Sequence, residues 1–164
     1  MPTAIIALVI VAADQVSKWA MIGILSAQPG ERIEIIEGFF ALHLIHNPGA
    51  AFGILPRFNH LFVIFSILTV AVLLIFFKTL FAAGRLSRVA AGLILGGAIG
   101  NLIDRLRFKQ VVDFLDFQFG SYHWPAFNIA DSAICVGVAL LLIAVLFGKT
   151  RQPRLQSKSG GETF

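Results

Sequence analysis

Two aspartates carry the chemistry of most interest. Asp113 sits in the apolar run Val111-Val112-Asp113-Phe114, and Asp131 follows Asn128 by three positions, which puts those two on one helical face. A lone acid among apolar neighbours is more often a cap or the partner of a nearby Arg, and Asp116 is read as such a surface residue. Asp113 and Asp131 differ because their segments bring both to one depth, near one edge of a membrane, with no dedicated cation for each. Two carboxyls held close cannot both ionise comfortably, so such a pair shares a proton. It can then hydrolyse an amide. The ionised member takes a proton from water, which attacks a carbonyl, and the protonated member donates to the carbonyl oxygen. The titration belongs to the pair, so spacing does not say which acid does which.

Other polar residues lie where lipid is expected, and an ionisable group at mid-span costs about 2.5–3.5 kcal/mol on insertion scales. Asp14 and Lys18 stand four apart on one face of the first span, which predicts a neutralising pair that fixes helix packing. Lys18 would hold Asp14 ionised, which argues against direct catalysis. Gly92, Gly96 and Gly100, with Gly97 beside them, form a small-residue register that lets another helix approach closely. Asn101 and Arg105 follow on a shared face and can aim donors at one site, although Arg105 can equally snorkel to the headgroups. His43, His46, His60 and His123 lack metal-helix spacing, and no phosphate-binding glycine loop is present, so neither metal nor cofactor is expected. Ser17, beside Lys18, is read as buried mid-span, Ser66 has no base in sequence view, and Cys135 is read as a core residue.

The elements that must position these groups follow from composition. Of 164 residues 57% are apolar and 13% charged, against about 25% charged in soluble proteins. That excludes a water-soluble globule and a disordered chain and leaves an integral membrane protein. A span needs about 20 mostly apolar residues. Four are expected, at about 5–25, 60–77, 88–105 and 127–148, the first being an uncleaved helix and not a signal peptide because Asp14 and Lys18 interrupt it. Seven basic residues (Lys78, Arg85, Arg88, Lys149, Arg151, Arg154, Lys158) lie on one side and four (Arg32, Arg57, Arg107, Lys109) on the other, so both termini are placed in the cytoplasm. The net charge of +4 therefore sets orientation and does not indicate nucleic acid. Outside, residues 32–45 suggest a small β-hairpin broken at Glu37-Gly38, and Asn47-Pro48-Gly49 a tight turn. Phe108, Phe114, Phe117, Phe119, Tyr122 and Trp124 suggest an interfacial aromatic loop. The polar stretch 149–164 is expected to be a disordered cytoplasmic tail. The expected fold class is thus an all-α membrane protein, a single domain over 1–148 with a small extracytoplasmic hairpin.

Five motifs in order resemble those of the bacterial lipoprotein signal peptidases, or signal peptidase II. They are Asp14-Gln15-Val16-Ser17-Lys18, Asn47-Pro48-Gly49-Ala50-Ala51-Phe52, the stretch from Gly96 to Arg105, Val111-Val112-Asp113-Phe114, and Phe127-Asn128-Ile129-Ala130-Asp131. The resemblance implies a four-helix aspartyl endopeptidase of the inner membrane, with both termini cytoplasmic and its site near the outer face. It would cut prolipoproteins just before a diacylglyceryl-modified cysteine. It implies Asp113 and Asp131 as the catalytic pair, Asn101, Arg105 and Asn128 as substrate- or inhibitor-binding residues, and Asp14, Lys18, Asn47 and Gly97 as supporting ones. It further implies sensitivity to globomycin-type inhibitors and contact with membrane lipids, and a monomer is expected. A small proton-coupled transporter uses intramembrane Asp and Lys equally well, but such proteins favour midplane sites and repeats. Here the polar groups other than Asp14 and Lys18 gather at the outer ends. A structural subunit packed through the Gly-rich helix leaves Asp113 and Asp131 unexplained. A lipidated precursor peptide separates the three, since only a peptidase shortens it.

Overall fold

The computed structural model describes residues 2–49, 59–82 and 84–147. The 149–164 tail, Ala50-Ala51-Phe52 and Arg57 lie outside the described residues. The chain runs α1 (Pro2–Leu25), β1 (Arg32–Ile36), β2 (Phe40–Asn47), α2 (Asn59–Ile75), α3 (Phe77–Ala82), α4 (Arg85–Phe108), β3 (Val111–Phe119), β4 (Tyr122–His123) and α5 (Ile129–Phe147). Among the described residues, three helices are long and apolar enough to cross a membrane: Thr3–Leu25, Arg85–Phe108 and Ile129–Phe147. Asn59–Ile75 is a shorter apolar helix.

α4 is the central helix, with α1, α2 and α5 packed against it. Its composition explains why. A β-carbon at Gly96 would stand 2.7 Å from Ile10 Cβ and 2.8 Å from the Ala7 carbonyl oxygen on α1. At Gly97 it would collide with the Ala130 carbonyl oxygen and lie 2.7 Å from Ile134 Cγ1 on α5. In lipid, where tails are as apolar as side chains, backbone proximity of this kind replaces the hydrophobic drive to associate.

At the end of the bundle where α1 and α4 finish and α5 begins lies a four-stranded antiparallel sheet in the order β1-β2-β3-β4. Gly38 (φ 67°) supplies the left-handed turn between β1 and β2. The buried cluster of Leu25, Leu44, Val112 and Phe114 glues the end of α1 to the underside of β2 and β3.

The structure corrects three expectations. The fold is mostly helical with a sheet, not all-α, because the segment read as an interfacial loop is largely a strand. β3 pairs with β2 through Ile45↔Asp113, His46↔Val112 and Asn47↔Val111, which satisfies backbone groups that a loop at that depth would leave unpaired. Asp116 is not a surface residue: it is 5% exposed, with Arg32 of β1, His43 of β2 (3.4 Å) and His123 of β4 (3.8 Å) converging on its carboxylate. Cys135 is exposed, not in the core, because its face of α5 is turned to a cavity and not to α4.

Candidate active site

α5 starts at Ile129, and Asn128 is its N-cap: the side-chain Oδ1 accepts the Asp131 N–H at 2.9 Å. The Asn128-x-x-Asp131 spacing thereby fixes Asp131 in the first helical turn, where a carboxylate is favoured by the helix dipole. Asp113 comes from the other direction, on β3. Asn128 Nδ2 donates to Asp113 Oδ1 at 2.8 Å, and Asn47 Nδ2, at the end of β2, donates to Asp113 Oδ2 at 3.0 Å. From α4, Asn101 Nδ2 donates to Asp131 Oδ1 at 2.7 Å. Asn128 Nδ2 also reaches Asn101 Oδ1 at 3.2 Å, so the partners of the two acids are themselves joined.

Both aspartates line one cavity of about 490 Å³, together with Asn47, Arg105, Val111, Trp124, Ser132 and Cys135 among others. A second cavity of about 230 Å³ between α2 and α4 shares Arg105, Asp131 and Ile134 with the first. Arg105 stands between them, with its guanidinium 5.5 Å from the Phe62 ring centre. Among the described residues no Lys or Arg comes within ion-pair distance of Asp113 or Asp131. Burial, and secondarily the charge of Asp131, push the Asp113 carboxyl up to about 7, against the opposing hydrogen bonds from Asn47 and Asn128. A carboxyl that holds a proton near neutrality beside a second acid is suited to acid–base work on water.

A third group of charges lies behind this pair. Lys18 Nζ is 2.9 Å from Asp14 Oδ2 and 2.8 Å from Asp104 Oδ2, and it donates to Asn101 Oδ1 at 3.1 Å. Asp14 Oδ1 also accepts the Ala130 N–H at 3.0 Å, tying α1 to the start of α5. Gly100 is needed there, since a β-carbon would stand 2.6 Å from Asp14 Oδ2. Asp104 accepts the Val112 N–H at 3.1 Å and Gln15 Nε2 at 3.0 Å, tying the strand of Asp113 to α4 and α1.

The sequence-predicted residues thus divide. Asp113, Asp131, Asn47 and Arg105 line the main cavity, and Asn101 lines the second. Asn128 is fully buried beneath the pair and reaches it through hydrogen bonds. Asp14 and Lys18 form the buried charge group, and Gly97 serves the α4–α5 contact instead of touching the acids. Asp104 and Gln15 were missed. Asp104 sits at the predicted end of the third span and reads as a boundary residue, yet α4 continues to Phe108 and keeps Asp104 inside, 1% exposed. Its spacing of three from Asn101 is the signal that would have found it.

Comparison with known proteins agrees with this architecture. The family described as Signal peptidase (SPase) II matches residues 6–147. The lipoprotein signal peptidase of Syntrophotalea carbinolica is 48% identical over 144 residues, covering 85% of this chain and 88% of its own. That of Moorella thermoacetica is 43% identical over 154 residues, covering 94% and 99%. A solved bacterial membrane enzyme, determined by the in meso method at 2.3 Å resolution, is similar with a TM-score of 0.79 at 35% identity, covering 96% of this chain and 94% of that one. With likeness of sequence and of fold running along nearly the whole length, the chain belongs to the signal peptidase II family.

Proposed function

We propose that Asp113 and Asp131 are the reacting carboxyls of this enzyme, acting as a proton-sharing pair on a water and the scissile carbonyl. The chain is an aspartic-type peptidase that removes signal peptides from prolipoproteins. The observation that carries the site assignment is the convergence of two acids from separate elements on one cavity, hydrogen-bonded by carboxamides and, among the described residues, not ion-paired to a Lys or Arg. In this reading the ionised acid deprotonates water, the other protonates the carbonyl oxygen, and the roles exchange as the tetrahedral species collapses. Asn101, Arg105 and Asn128 contact or align the substrate backbone. Asp14, Lys18, Asn47 and Gly97 support the frame. A bond next to a lipid-modified cysteine is presented at interface depth, and globomycin-type inhibitors would occupy the same cavity.

The finer membrane placement belongs to the same proposal. Residues 1–148 form one peptidase domain of four spans, with α2 the second. The Phe76 N–H bonds to the Val72 carbonyl and the Leu80 N–H to that of Phe76, both at 2.9 Å, so helical bonding carries on from α2 into α3 and lengthens that span. The balance of basic residues supports cytoplasmic termini. The sheet end of the bundle, with Asp113 and Asp131, then faces outward from the inner membrane, and the enzyme acts as a monomer. The test is cleavage of a diacylglyceryl-modified precursor peptide by purified protein. Asp113→Asn and Asp131→Asn are each expected to insert and fold yet leave the peptide intact by mass. Substantial turnover by either variant sinks the site assignment.

A further inference from the structure

Each of the three asparagines around the pair has its amide direction dictated by a group that can only donate. The Gly49 N–H holds Asn47 Oδ1 at 3.0 Å, the Asp131 N–H holds Asn128 Oδ1 at 2.9 Å, and Lys18 Nζ holds Asn101 Oδ1 at 3.1 Å. With its oxygen taken, each amide turns its Nδ2 to a carboxyl: Asn47 and Asn128 to Asp113, and Asn101 to Asp131. A carboxamide has donors at one end and an acceptor at the other, whereas an ammonium has three donors and no acceptor. A flipped Asn101 would set its NH2 against the ammonium and its oxygen against the Asp131 carboxylate, mismatching both ends at once. Two of the three locks are backbone N–H groups. The Asn101 oxygen is held by side chains: Lys18, which can only donate, and at 3.2 Å Asn128 Nδ2, while the three Lys18 donors match Asp14, Asp104 and Asn101 one to one.

We propose that Lys18 is a positioning residue of the reaction: gripped by Asp14 and Asp104, it fixes the Asn101 amide so that its N–H holds Asp131 as a hydrogen-bond acceptor turned to the cavity. Lys18 touches neither the substrate nor the reacting atoms and acts through Asn101. The charged groups facing the pair are Lys18 from α1 and Arg105 from α4, with Asp14 and Asp104 behind Lys18. The inference rests on Asp113 and Asp131 being the reacting pair.

The test compares Lys18→Gln, which can present either a donor or an acceptor to Asn101, with Lys18→Arg, which can only donate. The full-length enzyme in detergent is assayed on a lipid-modified precursor peptide for kcat, KM and the pH profile. Lys18→Gln is expected to lower kcat by about 10²-fold, as small misplacements do, with little change in KM and a displaced pH profile. Lys18→Arg is expected to restore the wild-type profile and part of the rate. A folded Lys18→Gln enzyme with wild-type kcat and profile overturns the proposal. So does an equal loss in both variants with the profile unmoved, which marks a merely structural role. Should the unpaired acids prevent Lys18→Gln from folding, the charge-balanced Asp14→Asn, Lys18→Gln, Asp104→Asn triple variant is read the same way. Failure of that variant as well makes Lys18 a folding residue and also overturns the proposal. The Asn variants of Asp113 and Asp131 keep the two readings apart: if they cleave normally the site itself is wrong, and if they are dead while Lys18→Gln is normal only the present inference falls.

Discussion

Four acids meet at the sheet end of the bundle, and they divide by what faces them. Asp14 and Asp104 share one ammonium, Lys18; Asp14 gives its other oxygen to the Ala130 N–H, and Asp104 takes the Val112 N–H on the oxygen that faces Lys18 and Gln15 on the other. Asp113 and Asp131 have amide donors from Asn47, Asn101 and Asn128 in place of a bound cation. The first pair, clamped on that ammonium, works as a rivet between α1, α4, α5 and β3. The second opens to a cavity, where the proposed function has it share a proton. In that proposal, identical residue types in one hydrogen-bonded network serve as scaffold or catalyst according to whether the partner is a cation or a dipole.

Removing a carboxyl from each pair should break the comparison in opposite ways. Asp131→Asn and Asp113→Asn are expected to cut cleavage by about 10³-fold or more, within the range of lost acid–base catalysis, while thermal unfolding in detergent stays close to wild type. Asp104→Leu should do the reverse in stability, costing about 3–5 kcal/mol because Lys18 loses a buried partner and the Val112 N–H its acceptor. An Asp104→Leu protein that melts with the wild type would refute the rivet.

Titration sharpens the contrast next. With the Asp113 carboxyl raised to about 7 by burial and by Asp131, the working pair loses its proton as pH climbs through that value. The rate kcat/KM is then expected to fall above about pH 7, approaching tenfold per unit. A profile flat to pH 9 would contradict it. The stability sign is the same. The native state keeps this proton to higher pH than the unfolded chain does, so the associated stability is full below about 4 and drains away as pH rises towards 7. The smallest effect belongs to Asp116, where Arg32 is partly exposed. Asp116→Asn should cost about 1 kcal/mol, seen as a slightly lower melting temperature with cleavage retained. Loss of activity there would mean that the sheet's outer clasp also sets Asp113.

Much of this was legible in one chain. The three long helices follow from apolar runs, and the Asn128-x-x-Asp131 cap and the Asp14-x-x-x-Lys18 pair from helical spacing, because those are local relations of three or four residues. What failed was non-local. β3 reads as an aromatic loop until β2 is brought beside it, since pairing between segments 66 residues apart is not written in the local pattern of β3. Asp116 and Cys135 were misassigned for the same reason: burial on a strand or on one face of a helix depends on what packs there.

By itself, then, the amino-acid sequence determined that this is a membrane protein with acids too costly to be incidental, and it singled out Asp113 and Asp131, which the proposed function takes as the proton-sharing pair. Only the tertiary structure decided that Lys18 serves Asp104 as well as Asp14, and that three amides were turned with their donors to Asp113 and Asp131. Charge and hydropathy are properties of residues, readable in order along the chain. The direction of a hydrogen bond is a property of two residues in space, and space is set by the fold.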